Sequence, residues 1–165
     1  MATKTKPRMV STHNDLSEDV RVQMVDLLNA QLADTFDLYS QVKQAHWNIK
    51  GIEFIQLHEL FDDVAGIVLE YVDMIAERAT ALGGLAMGTA RMAAANTTLP
   101  EMDADLTDGK AFVEALVERV ALYAKSTRAA IDTADEAGDM STADLFTEVS
   151  REVDKQLWFL EAHIQ

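Results

Sequence analysis

The sequence predicts an all-α fold, a bundle of four long helices with one long connection at its middle. Three observations carry that reading: helix-forming residues dominate, breakers are scarce, and apolar residues recur in four stretches at alternating steps of three and four. Only 2 prolines and 7 glycines interrupt the 165 residues, and 48% of residues are apolar against 25% charged. That balance describes one globular domain long enough to bury a core, not a disordered chain.

The first helix is expected to begin near Ser17, a hydroxyl N-cap followed by the acids Glu18 and Asp19. Its apolar stripe runs Val25, Leu28, Leu32, Thr35, Tyr39, Val42, and His46 takes the next step of the same stripe. Asn48 to Gly51 then end it, asparagine and glycine being good helix terminators. The second helix is expected from about Glu53 to Leu82 on Leu57, Phe61, Val64, Val68, Tyr71, Ile75 and Leu82, stopping at Gly83-Gly84. A connection over residues 83 to 107 is long for a bundle, and "MGTARMAAAN" within it reads as a short extra helix. The third long helix is expected from Asp108 to Ala137 on Val113, Leu116, Val120, Ala124, Thr127 and Ile131, with Gly138 ending it. The fourth begins near Ser141 or Thr142 and runs on Leu145, Val149, Val153, Gln156 and Leu160. Four long helices with one crossover between the second and third is the ferritin-like bundle pattern. Residues 1–15 read as a flexible basic arm and residues 16–165 as the bundle domain.

Without cysteine there is no disulfide framework, no thiolate metal site and no cysteine nucleophile. The opening "MATKTKPRMV" lacks an apolar leader core, and no run approaches 18 apolar residues, so a cytoplasmic protein without membrane contact is expected. A net charge of -14 argues against a body that binds nucleic acid, and it suits a protein that gathers cations. Many soluble proteins without a metal are equally acidic. The charge is uneven: Lys4, Lys6 and Arg8 all precede the first acid, Asp15.

The second helix carries His58 with Asp62, and Asp73 with Glu77, each pair spaced i, i+4 on one face. Histidine with carboxylates suits iron, and carboxylate-rich sites also suit manganese. With Leu57 set at zero, these four residues fall at about 100°, 140°, 160° and 200°, away from the apolar stripe. A site inside one bundle is therefore not expected, and the Glu-x-x-His signature of in-bundle di-iron centres is absent. His58 and Asp73 lie 15 residues apart, about 22 Å along a helix, too far for one metal site. Either the pairs are unrelated surface charges, or one pair meets the other pair of a second copy. A two-fold axis near Val68 would bring them together, with Gly66 and Leu69 at the contact and His46 within reach as a further nitrogen ligand.

The segments "KQAHWNIKG", "FIQLHELFDD", "DMIAERATALGG" and "DKQLWFLEAHI" closely resemble the Dps mini-ferritins, the DNA-binding proteins from starved cells, over nearly the whole chain. The spacing of His46, His58, Asp62, Asp73 and Glu77 is that family's ferroxidase pattern. The resemblance implies a hollow homo-dodecamer with ferroxidase centres at the two-fold interface. His46, His58 and Asp62 would come from one subunit, Asp73 and Glu77 from its neighbour. It implies oxidation of Fe2+, preferentially by H2O2, and storage of Fe3+ as mineral inside, which limits oxidative damage. Iron is the implied metal, with Zn2+ or Mn2+ as substitutes at the same site.

The family places Trp47 close to the centre as an electron relay or radical sink; the alternative is an aromatic packed in the interface. Asp144 matches the family's acidic lining of an iron-entry pore, and is equally an acid favoured near a helix N-terminus. Arg78 reads as a structural ion-pair partner, Trp158 and Phe159 as packing, and His13 and His163 lie outside the pattern. Dps proteins also bind DNA without sequence specificity through lysine-rich arms, and Lys4, Lys6 and Arg8 form a short version of one. The alternative function is accordingly a nucleoid-compacting DNA-binding protein with secondary iron chemistry.

Overall fold

The computed structural model describes residues 8–165. Among them are five helices: α1 (Glu18–Asn48), α2 (Phe54–Ala81), α3 (Ala90–Asn96), α4 (Gly109–Glu136) and α5 (Met140–Glu161). α1 and α2 form one antiparallel hairpin and α4 and α5 the other, while α3 lies in the crossover and packs on α1. The architecture is a four-helix bundle with one short extra helix.

The stripes read from sequence are the faces that turn inward. Leu57, Phe61, Val64, Val68, Tyr71 and Ile75 of α2 are all buried, as are Val25, Leu28, Leu32, Thr35 and Val42 of α1. Phe112, Phe146, Leu116, Tyr123 and Val149 fill the middle from the second hairpin. A hydroxyl network crosses this core. Thr35 donates to the Gln31 carbonyl at 2.6 Å and so accepts from the buried Tyr123 hydroxyl, also at 2.6 Å. Burial pushes Tyr123 well above its ordinary value, so it stays a neutral phenol.

Ser17 caps α1 by accepting from the Val20 amide, and Asp108 caps α4 by accepting from Ala111. α5 starts earlier than Ser141 or Thr142, because Asp139 is the cap and accepts from the Thr142 amide at 3.1 Å. The same carboxylate receives Arg78 of α2 at 2.7 and 3.0 Å, and Arg78 also donates to the Thr142 hydroxyl at 3.0 Å. Arg78 is thus the structural partner that the sequence suggested, tying the end of α2 to the start of α5.

The crossover is held to α1 by buried polar groups. Asp34 accepts from the Thr98 amide and from the Thr97 and Thr98 hydroxyls. Arg119 of α4, buried, donates to the Gln41 side chain and to the Glu101 carbonyl, both at 2.6 Å. These contacts give a long connection one path across the bundle.

Within the stretch expected as an arm, Met9 packs on the core, as does Leu16 just after it. The Val10 amide donates to the Gly83 carbonyl at 2.7 Å. Gly83 has φ +86, and a Cβ there would lie 2.7 Å from the Val10 carbonyl oxygen, so only glycine suits this seat. Arg21 closes the same corner by donating to the carbonyls of Leu16 and Leu82. Arg8 is exposed just ahead of the docked segment; Lys4 and Lys6 lie outside the described residues.

Candidate metal centre

The end of α1 and the start of α2 lie side by side because the turn at Lys50–Glu53 is short and Gly51 takes φ +110. That turn stacks the His46 and His58 rings, with centroids 3.7 Å apart and planes 21° apart. Each ring then bonds the other's backbone. His46 Nδ1 lies 2.7 Å from the His58 carbonyl oxygen, and His58 Nδ1 lies 2.9 Å from the His46 carbonyl oxygen. A carbonyl only accepts, so Nδ1 carries a proton in both rings, and in the neutral imidazole the lone pair is then on Nε2. A metal-ligating histidine needs this arrangement, one nitrogen held and the other free.

Asp62, one turn beyond His58, is exposed and brings an Oδ1 to 4.0 Å from His46 Nε2. Its nearest cation is Lys43 of α1, whose ammonium donates at 2.6 Å. That hydrogen bond holds the Asp62 carboxyl below the usual carboxylate range and outweighs the small effect of burial. Lys43 also stands 5.5 Å from the centre of the Trp47 ring, and Phe54 stacks on His58 at 5.0 Å. Neither Lys43 nor Phe54 was singled out from sequence. The missed signal was that Lys43, Trp47 and His46 share the last turns of one helix, facing a histidine-carboxylate pair on the next.

Asp73 and Glu77 are exposed on α2, and among the described residues no hydrogen bond or ion pair engages either carboxylate. α2 runs unbroken from Phe54 to Ala81, so Asp73 stays about 22 Å from His58 and Glu77 about 28 Å. Among the described residues no three histidine, aspartate or glutamate side chains of one subunit gather to hold a metal. Between the pairs, Gly66 is open and Leu69 is 45% exposed, and Trp47 (66%), Ile55 (52%) and Phe54 (41%) extend the same apolar exposure toward the histidines. Asp144 is exposed near the start of α5. His163 Nδ1 lies 2.7 Å from the Phe159 carbonyl oxygen, within its own segment. His13 is exposed, well before α1 in the chain and outside the histidine stack.

A helical bundle with its core filled by side chains is ferritin-like in fold, and it brings His46 of α1 beside His58 and Asp62 of α2. The profile of the Ferritin-like domain matches residues 25–165. The DNA protection during starvation protein of Agrobacterium fabrum is 44% identical over 154 residues, covering 93% of this chain and 95% of that one. DpsC from Streptomyces coelicolor superposes with a TM-score of 0.92 at 33% identity, covering 100% of this chain and 96% of that chain. A Dps protein from Vibrio cholerae O1, described as a member of a broad superfamily of ferritin-like diiron-carboxylate proteins, gives 0.88 at 26% identity, covering 96% and 99%. The chain belongs to the Dps family of ferritin-like proteins.

Proposed function

We propose that the chain is a mini-ferritin that oxidises Fe2+, preferentially with H2O2, at centres completed by a second copy. His46, His58 and Asp62 of one subunit would act with Asp73 and Glu77 of the partner subunit. The observation that carries this reading is the pair of histidines clasped through Nδ1, each with a free Nε2, beside Asp62. The donor set fits iron: imidazole nitrogens and carboxylates bind Fe2+, and hard carboxylate oxygens favour Fe3+ still more. Isologous contact of two α2 helices would form two identical centres and cover Leu69, Trp47 and Phe54.

Two Fe2+ ions held together supply the two electrons that one peroxide consumes. The balance is 2 Fe2+ + H2O2 + 2 H+ giving 2 Fe3+ + 2 H2O, so no hydroxyl radical is released. Assembly as a hollow dodecamer would give the Fe3+ mineral its compartment, and Asp144 would line the entry path for Fe2+. Zn2+ or Mn2+ would occupy the same ligands without peroxide turnover of this kind. The working compartment is the cytoplasm; among the described residues no helix is long and apolar enough to cross a membrane.

Anaerobic Fe2+ titration followed by peroxide tests the reading. About two Fe2+ should bind per centre, and one peroxide should be consumed per two irons oxidised. Consumption of one peroxide per iron, or no saturable Fe2+ binding, would overturn it.

The second reading, DNA binding, draws on the relatives' name and on the charges of Lys4, Lys6 and Arg8. Since Met9 packs on the core and the Val10 amide bonds the Gly83 carbonyl, deletion of residues 1–8 is the clean test. Gel retardation should be confined to low salt and lost on deletion, because each phosphate contact releases counterions. Retardation unchanged by the deletion would exclude the arm.

A further inference from the structure

The Lys43 ammonium is shared between two groups of different chemistry. It donates to Asp62 at 2.6 Å and stands 5.5 Å from the centre of the Trp47 ring one turn along α1. The lysine side chain is 16% exposed, so its charge is less screened than a free surface lysine's. Trp47, 66% exposed, has no hydrogen-bonded partner for its indole among the described residues. An ammonium within about 6 Å of an indole face interacts with the electrons that the ring would give up on oxidation.

We propose that Lys43 insulates Trp47 against electron loss while Asp62 anchors the lysine beside the ring. The chemistry is a one-electron step. The indole gives one electron to a one-electron oxidant such as a ruthenium(III) complex, which is reduced to ruthenium(II), and the resulting radical cation passes its Nε1 proton to water. A positive charge already beside the ring disfavours the cationic product, so electron loss is suppressed. Lys43 acts here through Trp47, as a positioning residue rather than a catalytic one.

The test uses assembled full-length protein carrying Trp158→Phe, so that Trp47 is its one tryptophan. Photogenerated ruthenium(III) tris-bipyridine serves as the one-electron oxidant, and loss of Trp47 emission is followed in the metal-free protein. Lys43→Met should speed the loss about two- to fivefold, the range set by a partly exposed cation–π contact. Lys43→Arg, which keeps the charge, should restore the slow rate. Equal rates in metal-free parent and Lys43→Met, with circular dichroism matched, would overturn the proposal.

Discussion

Replacing His58 and Asp62 together by alanine should slow iron oxidation by about 100-fold or more, since losing even an outer partner of a metal ligand costs 10–100-fold. Neither side chain fills the core: His58 is half-buried and Asp62 exposed, so helicity and assembly size should be unchanged. Initial ferric absorbance after peroxide addition gives the rate. A mixing experiment goes further, because it reads which subunit supplies which ligand. Asp62→Ala subunits alone and Glu77→Ala subunits alone should both be inactive. In a dimer formed from one of each, one centre carries both defects and the other carries none. Random reassortment makes half the dimers mixed, so about a quarter of all centres should regain activity. Recovery requires that Asp62 and Glu77 of one centre belong to different chains. Absence of recovery after verified subunit exchange would reject the shared centre.

The fold was legible because burial follows period: every stripe residue named for the second helix, from Leu57 to Leu82, is buried, and no tertiary information was needed to choose them. The helical rotation of His58, Asp62, Asp73 and Glu77 off that stripe was equally readable, since it depends only on spacing within one helix. What spacing cannot reach is a partner on another element. The clasp between His46 and His58 uses backbone carbonyls that any residue would present, so no side-chain pattern announces it. Lys43 meets Asp62 across 19 positions of chain and Arg78 meets Asp139 across 61. The start of α5 shifted for the same reason. Ser141 and Thr142 are sound local caps, but Asp139 also gains a guanidinium from α2, and that distant charge is absent from any local window.

That guanidinium makes Asp139 the residue whose neutralisation should cost most stability. Asp139→Asn keeps the size and the capping capacity of the side chain, so α5 can still start at the same place. It removes the charge that meets Arg78, whose side chain is only 20% exposed, and leaves that cation short of a partner. Breaking a buried pair from one side costs about 3–5 kcal/mol, and the partial exposure of Arg78 points to the lower end, about 3 kcal/mol. Urea unfolding at pH 7 and one fixed protein concentration measures it, since assembly makes apparent stability concentration-dependent. The pH dependence separates an ionic latch from a steric one. Burial raises the Asp139 carboxyl, but the bonds from Thr142 and Arg78 outweigh it and hold the group below 3.8. A group depressed in the folded state binds its proton more readily when unfolded, so its contribution is complete above 3.8 and fades as pH falls through the lower folded value. The parent should therefore lose its advantage over Asp139→Asn as pH drops from about 4 toward 2, the two stability curves converging. A gap that stayed constant over that range would mean that the carboxylate charge contributes nothing, and that Asp139 acts through shape and capping alone.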